Sequence, residues 1–394
     1  MPEEIVIVGS ARTPIGSFLG ALAAVPAPRL GAVAIRAAVE RSGVAPGAVD
    51  QVIMGQVLQA GVGQAAARQA LIYAGLPDSV PAVTLHKVCG SGMRAVMMAA
   101  NDLRCGDGEI MVAGGMESMS NAPYLLPGGR TGMRMGHGQV LDHMVLDGLW
   151  DPYGDKHMGN CAETCARHYA FTREAQDAFA RASYERAIAA ATDGAFDAEI
   201  VAVEIPARKG EPVRVARDEE PTRADLSRMA GLRPAFDKDG TVTAANASKI
   251  NDGAAALVLT TESRARRDGL APLARIVAHA GVAQQPEWFT TAPVGAMRKA
   301  VERAGVRMED IDLFEVNEAF AVVAMAAMKE LAIPHEKLNV HGGAVALGHP
   351  IGASGARIVV TLLHALRRRG LRLGCAGICI GGGEATAMVI ESLA

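Results

Sequence analysis

Residues 91–96 read Ser-Gly-Met-Arg-Ala-Val, and residues 354–359 read Ser-Gly-Ala-Arg-Ile-Val, so one pattern returns 263 positions later. Each copy follows a glycine-containing loop and opens a predicted helix. The glycine stretches Gly114–Glu117 and Gly381–Glu384 also resemble each other, and each follows a predicted strand. Repeated stretches in the same structural context indicate a chain built from two similar halves.

Strand-like and helix-like stretches alternate around the first copy, beginning with the apolar run Ile5–Val8. This order predicts an α/β fold with a parallel sheet covered by helices. The strand predicted over 274–278 opens the second half as Ile5–Val8 opens the first. The intervening stretch is richer in glycine loops and polar helices, and it is predicted to be an insertion. The expected division is an N-terminal half (1–118 plus 251–271), an inserted loop domain (119–250) and a C-terminal half (272–394).

Composition excludes several classes of partner. The chain has 394 residues, with 39 Lys+Arg against 42 Asp+Glu, and its formal net charge of −3 provides no basic field for nucleic acid. An aromatic share of 4% argues against base-stacking platforms. We expect no signal sequence at the N-terminus, and no uncharged apolar stretch of about 20 residues occurs in the chain. We therefore expect a cytoplasmic protein that binds neither nucleic acid nor membrane.

The six cysteines are too sparse for a disulfide scaffold. Cys161, Cys165 and His168 share one face of a predicted helix, but no fourth metal ligand lies near them in sequence. A buried helix face is therefore the preferred interpretation, and no metal site is predicted.

Cys89 directly follows a predicted strand and falls within the first turn of a predicted helix, where free backbone N–H groups favour a thiolate. It is a candidate nucleophile, and the alternative is a small buried apolar residue. His349 lies in a glycine-rich loop whose Pro350 keeps it out of helix, so it is the candidate base. Cys379 lies near the end of the strand predicted over Gly377–Ile380, which leads into the glycines 381–383.

The N–H groups of that glycine run could form an oxyanion hole. The run leads into a strand rather than a helix, which argues against a dinucleotide-binding loop. Asn317 and Glu318 follow another predicted strand. Asn317 is either an ordinary helix N-cap or a residue of the functional site. No Gly-x-Ser-x-Gly elbow occurs, so a serine hydrolase is not indicated.

Five motifs together resemble those of the thiolase family over nearly the whole chain. They are Val88–Met93, Gly114–Ser120, Asn246–Ala255, Asn317–Phe320 and the Gly-His-Pro and Cys-x-Gly-Gly-Gly elements around His349 and Cys379. The resemblance implies a thiolase-like five-layered αβαβα core of two duplicated halves with an inserted loop domain. It implies an acyltransferase that condenses two acetyl-CoA reversibly to acetoacetyl-CoA plus CoA, a reaction of fatty acid metabolism.

The resemblance also implies residue roles. Cys89 would be acylated, His349 would activate it, and Cys379 would move the proton at C2 of the second acyl-CoA. Asn317 would hold a water that forms one oxyanion hole with His349, and the N–H groups of Cys89 and Gly381 would form the other. Coenzyme A thioesters would be substrates, with no tightly bound cofactor. Substrate-binding residues would be His157 and Ser248 at pantetheine, Leu149, Met158, Phe236 and Phe320 at the acyl group, and Arg223 at the adenine end.

Further expectations concern assembly and specificity. The family implies a homo-oligomer, either a dimer or a tetramer formed through the loop 126–140. A bulky Met158 would disfavour long or branched acyl groups. Glu384 stands where many relatives place Gln or Met, and it could raise the pKa of Cys379 if its side chain turned inward. The alternatives are a degradative 3-oxoacyl-CoA thiolase of broader chain length and a non-catalytic acyl-CoA carrier.

Overall fold

The computed structural model describes residues 3–207 and 210–393. The strands are β1 Ile5–Arg12, β2 Gly16–Ser17, β3 Gln51–Gly55, β4 Ala82–Leu85, β5 Ile110–Ser118, β6 Tyr124–Leu125, β7 Leu141–Asp142, β8 Trp150–Asp151, β9 Lys156–His157, β10 Val203–Ile205, β11 Val213–Val215, β12 Asn251–Thr261, β13 Ala274–Ala283, β14 Leu313–Val316, β15 Leu373–Ile380 and β16 Glu384–Ser392. The α-helices are α1 Ala27–Ser42, α2 Ala66–Ala74, α3 Ser91–Cys105, α4 Met158–Tyr169, α5 Arg173–Thr192, α6 Glu220–Arg223, α7 Glu262–Asp268, α8 Ala292–Arg303, α9 Ala321–Leu331, α10 Ala344–Leu347 and α11 Ile351–Arg369.

The main sheet is mixed, so the prediction of a parallel sheet is wrong in part. Its strand order is β14-β15-β16-β13-β1-β12-β5-β3-β4, with β2 paired to β12. Only the β3–β4, β3–β5 and β14–β15 pairs are parallel. At the centre, β1 pairs antiparallel with both β12 and β13. A run of apolar residues indicates a strand that is buried on both faces, but it contains no information on the direction of the neighbour.

The predicted two-half, five-layered α/β fold is confirmed by the layers that the helices form. Helices α1 and α2 cover the outer face of the N-terminal half-sheet, and α8 and α9 cover that of the C-terminal half-sheet. The repeated helices α3 and α11 pack on each other in the apolar core between the half-sheets. The layers therefore run helix, sheet, helix, sheet, helix, and the repeated sequence forms the middle one.

The two middle helices approach closely because each has a glycine in its first five residues where they cross. A Cβ at Gly92 would lie 2.8 Å from the backbone nitrogen of Ala356, and one at Gly355 would lie 2.5 Å from that of Met93. Real Cβ atoms essentially never come this close. The repeated glycines therefore set the spacing of the two helices that follow the Cys89 and His349 loops.

The segment between β5 and β12 contains helices α4 to α6 and short strand pairs rather than a sheet of its own. The strand that follows it, β12, lies between β1 and β5 in the N-terminal half-sheet. The domain boundaries at residues 118, 250 and 271 stay a prediction. No helix within the described residues is long and apolar enough to cross a bilayer.

Candidate active site

A cavity of about 630 Å³ opens where the two halves and the intervening segment meet. Ten of the twelve residues predicted for the site line it: Cys89, His349, Gly381, His157, Met158, Ser248, Leu149, Phe236, Phe320 and Arg223. Asn317 and Cys379 are fully buried beside it. The structure therefore brings all twelve predicted residues into one region.

Cys89 occupies a tight turn between β4 and α3. Val88 adopts a left-handed conformation (φ 45°), Gly90 is the N-cap, and the helix begins at Ser91. The prediction that Cys89 falls within the first helical turn is therefore wrong, because it precedes the N-cap. A Cβ on Gly90 would overlap the side chain of Ile380 on β15, so only glycine permits this close approach of the two halves.

His349 lies between α10 and α11 in an extended loop, as the sequence predicted. Its Nδ1 lies 2.6 Å from Ser354 Oγ, and that hydroxyl donates to Pro350 O at 2.9 Å. Since the hydroxyl hydrogen is used, Ser354 accepts the Nδ1 hydrogen, and Nε2 keeps its lone pair. The Nδ2 atom of Asn317 lies 3.4 Å from this Nε2. The imidazole is thus oriented as a base.

Burial keeps both members of the Cys89–His349 pair neutral at rest. Burial, with the positive charge of Arg357 as a smaller cause, lowers the pKa of His349 to about 3. Burial raises the pKa of the Cys89 thiol to about 12, although the N–H groups of Gly381 and Cys89 itself act in the opposite direction. The expectation that the helix start favours a resting thiolate is therefore wrong, because desolvation outweighs the nearby N–H groups.

Cys379 is buried near the end of β15, directly before a glycine hairpin to β16. Burial, then the neighbouring Cys89, raises the pKa of its thiol well above the usual value. Gly382 and Gly383 have φ of 90° and 84°, which close the hairpin. Gly381 and Cys89 line the same cavity, and the Gly381 N–H acts to lower the pKa of the Cys89 thiol. A backbone donor thus lies where an oxyanion next to Cys89 would form.

Glu384 points away from Cys379 and pairs with Lys87. It is therefore not among the causes of the raised pKa of Cys379. The condition for an effect on Cys379, a side chain turned inward, is not met, because Lys87, two residues before Cys89, holds the carboxylate. The ion pair joins the loop of Cys89 to the hairpin after Cys379.

Asn317 is not a helix N-cap, because α9 begins at Ala321 and its N-cap is Phe320. The backbone N–H of Asn317 donates to Gly377 O at 3.0 Å, which fixes it beside β15. Its Oδ1 is buried and has no hydrogen-bond partner among the described residues. A buried amide whose oxygen is free and whose nitrogen faces the base is suited to binding a small polar group in the site.

Aromatic and thioether groups form the apolar wall of the cavity. His157 caps α4 by accepting the Gly159 N–H at 3.0 Å, and its ring stacks on Phe236 with centroids 4.8 Å apart. Phe236 meets Phe320 edge to face at 5.8 Å. Met158 is 8% exposed, and its sulphur lies 3.5 Å from the position that a Cβ on Gly381 would take. A bulky side chain thus stands beside the Cys89 and Gly381 end of the cavity.

Several residues at the site were not predicted. Glu220 and Lys249 add charges to the lining, and Ser354 and Asn251 hold His349 by Nδ1 and by the backbone N–H respectively. Ser354 could have been found, because it is the repeat counterpart of Ser91, which hydrogen-bonds the backbone around Cys89. Lys249 and Asn251 lie within the motif Asn246–Ala255, but nothing in that motif indicates contacts with Val345 and His349. No group of three or more metal-binding side chains occurs in the part of the chain that the structure describes.

Comparisons with known proteins agree with this geometry. The family model of the thiolase N-terminal domain matches residues 5–263, and that of the thiolase C-terminal domain matches residues 270–392. An acetyl-CoA acetyltransferase of Cupriavidus necator is 54% identical, covering 98% of this chain and 99% of that protein. One of Pseudomonas aeruginosa is 52% identical with the same coverage. The crystal structure of the Bacillus anthracis acetyl-CoA acetyltransferase is 44% identical, with a TM-score of 0.96 and 99% of both chains covered.

Proposed function

The chain belongs to the thiolase family, and on that premise we propose that it is an acetyl-CoA acetyltransferase that interconverts two acetyl-CoA with acetoacetyl-CoA and CoA. The observation that carries the proposal is the convergence of Cys89, the Asn317–His349 pair and the Cys379–Gly381 hairpin at one cavity. Full-length relatives named acetyl-CoA acetyltransferase support acetyl as the acyl group that is transferred.

The first half-reaction acylates Cys89. When a thioester enters and displaces water, the Cys89 proton moves to Nε2 of His349 and the sulphur attacks the carbonyl carbon. The carbonyl oxygen becomes negative and accepts from the N–H groups of Cys89 and Gly381. The C–S bond to coenzyme A then breaks, and the leaving sulphur takes the proton back from His349. A preorganised donor of this kind contributes about 3 to 4 kcal/mol.

The second half-reaction forms the C–C bond. When Cys379 is ionised, its thiolate removes the proton at C2 of a second acetyl-CoA, and the carbanion attacks the acyl carbon on Cys89. The Cys89 sulphur leaves as a thiolate and takes this proton from Cys379, which returns Cys379 to its ionised form. Asn317 and His349 would stabilise the enolate oxygen through a shared water. In the cleavage direction the same thiol protonates the departing carbanion. Its raised pKa suits this proton-donor role, because the resting group keeps its proton.

Chain length separates the two enzyme candidates. Met158, Phe236 and Phe320 crowd the cavity, which favours a short acyl group over the long chains of a degradative 3-oxoacyl-CoA thiolase. A non-catalytic acyl-CoA carrier would not need a base oriented by Ser354 or a thiol beside Cys89. We propose coenzyme A thioesters as substrates with no tightly bound cofactor, and a role in fatty acid metabolism.

The test is CoA-dependent cleavage of acetoacetyl-CoA, 3-oxohexanoyl-CoA and 3-oxodecanoyl-CoA, with Cys89→Ala as the blank. We expect rapid cleavage of the four-carbon substrate that falls with chain length and disappears in the variant. Equal or faster cleavage of the ten-carbon substrate would favour the degradative thiolase. Cleavage of none of them by the wild-type protein would refute thiolysis.

We also propose that the protein is a homo-oligomer, a dimer or a tetramer. Large apolar side chains are exposed together on the β6–β7 hairpin, namely Tyr124, Leu126, Met133, Met135 and Val140. Exposed apolar patches of this kind mark association surfaces. Sedimentation equilibrium should give a mass of two or four chains, and replacing Met133 and Met135 by Lys should lower a tetramer to a dimer. A wild-type monomer at micromolar concentration would contradict the proposal.

A further inference from the structure

The Lys249 side chain lines the cavity, and its ammonium group donates hydrogen bonds to two backbone carbonyls. Nζ donates to Ala247 O at 2.8 Å and to Val345 O at 3.1 Å, and it lies 5.4 Å from the centre of the Tyr184 ring. Ala247 belongs to the loop of Ser248, and Val345 belongs to α10, which leads to His349. One cation thus joins two walls of the site.

The hydrogen bond from Lys249 to Val345 O lies where the hydrogen-bonding pattern of α10 ends. In a continuing α-helix, Val345 O would accept from the N–H of residue 349, four positions later. Here the His349 N–H donates instead to Asn251 Oδ1 at 2.9 Å. Lys249 and Asn251, two residues apart, therefore take the two ends of one missing helical hydrogen bond. The helix ends because Gly348 (φ 106°) and Pro350 take the chain out of helical geometry, and the two side chains bind the carbonyl and the N–H that are left without helical partners.

The backbone N–H of Val345 is also bound by a side chain. The N–H of Val345 donates to Oε2 of the buried Glu318 at 3.1 Å. A carboxylate and an ammonium therefore fix Val345 by N–H and C=O, four residues before the base. Burial lowers the pKa of Lys249 to about 8, while Glu220 and Glu318 act in the opposite direction. The group is mainly protonated at neutral pH, although burying its charge costs free energy.

We propose that Lys249 is a positioning residue for His349: its ammonium binds the carbonyl of Val345 and so fixes the end of α10, from which Gly348 turns the chain so that the imidazole enters the cavity of Cys89. The inference rests on the proposed function for its effect on turnover. Its effect on the geometry of Cys89 and His349 holds without any substrate.

The first test compares Lys249→Met, which keeps the length and removes the donor, with Lys299→Met on the exposed face of α8. Because a displacement of about 1 Å can cost about 100-fold, we expect kcat for acetoacetyl-CoA cleavage to fall about 10- to 100-fold in Lys249→Met. KM should change less, and the free energy of unfolding should fall, because the carbonyl oxygens of Ala247 and Val345 lose their donor. Lys299→Met should match the wild type.

The second test is chemical rescue of Lys249→Ala. Propylammonium supplies the atoms that the substitution removes, and tetramethylammonium has the same charge without an N–H donor. We expect propylammonium alone to restore activity. Equal restoration by both cations, or wild-type kcat in Lys249→Met, would overturn the positioning role.

The third test needs no acyl-CoA. Alkylation of Cys89 by iodoacetamide, followed by peptide mass analysis, reports how well His349 accepts its proton. We expect about tenfold slower alkylation in Lys249→Met, in line with the loss of an adjacent base. If the wild-type protein cleaves no substrate, the proposed function fails, but this rate still decides the role of Lys249. An unchanged rate would refute it.

Discussion

Cys89 and His349 form a pair whose proton stays on sulphur until substrate arrives. The pKa of the thiol is raised to about 12 and that of the imidazole is lowered to about 3, so the ion pair is unfavourable in the empty site. A bound thioester changes this balance, because its carbonyl oxygen develops charge next to the Gly381 N–H as the proton moves. Ionisation of Cys89 is therefore tied to the presence of substrate, and the half-buried thiol stays mainly protonated between turnovers.

His349 also predicts how stability depends on pH. Its pKa is about 3 in the folded protein against a usual 6.5, so the unfolded chain binds the extra proton between these values. Stability should then fall as pH decreases from 6.5 toward 3, by about 1.4 kcal/mol per unit from this group. Urea unfolding at pH 4.5 and 7 should show a smaller difference for His349→Gln than for the wild type. An equal difference in both proteins would contradict the buried neutral imidazole.

The sequence predicted the reacting residues but not the groups that hold them. Cys89, His349 and Cys379 stand among glycines, and that pattern is local and visible. Lys249 and Asn251 bind backbone atoms of residues 345 and 349, nearly 100 positions away. Every residue type has these backbone atoms, so the side chains at 345 and 349 do not indicate such partners. The thiolate expected at Cys89 was wrong for a related reason, since the degree of burial depends on the fold and not on the adjacent helix.

At the scale of elements, the crossing of α3 and α11 fixes the distance between the Cys89 loop and the His349 loop. Each loop ends directly at the start of one of these helices, and Gly92 and Gly355 let the backbones touch. The repeat in the sequence predicted both helices, but it could not predict that they pack on each other. The sequence did not indicate that β1 pairs antiparallel with β12 either, because β12 lies about 250 residues further along the chain.

Gly355→Ala should therefore destabilise the protein and reduce turnover. Its Cβ would lie 2.5 Å from Met93 N, and overpacking of this kind costs about 1 to 3 kcal/mol. The matched control is Gly295→Ala in α8, where the nearest atom would be 3.6 Å away. That change should stabilise the helix by about 0.5 to 1 kcal/mol. Chemical denaturation of both variants measures the contrast, and a stabilised Gly355→Ala would refute the close crossing.

At the scale of the molecule, a buried arginine holds the inserted segment against the core. Arg12 on β1 is fully buried, and it bonds Glu199 at 2.6 Å and both oxygens of Asp218 at 2.7 and 2.9 Å. Glu219, next in the chain, accepts the Ser17 N–H at 2.8 Å. These contacts place α6, whose first and last residues, Glu220 and Arg223, line the cavity. Ion pairs of Arg12 thus determine the position of the cavity wall that α6 forms.

Arg12→Met should cost about 3 to 5 kcal/mol of unfolding free energy, because two buried carboxylates lose their cation. Arg167→Met, which breaks an exposed pair with Asp237, should cost no more than about 1 kcal/mol. Adding Glu199→Gln and Asp218→Asn to Arg12→Met should restore much of the stability, since no unpaired charge remains. KM for coenzyme A should rise in Arg12→Met, because α6 loses its anchor while Cys89 and His349 keep theirs. Urea unfolding and initial-rate kinetics measure both effects, and a lower kcat with unchanged KM would show that the clamp acts on the catalytic loops instead.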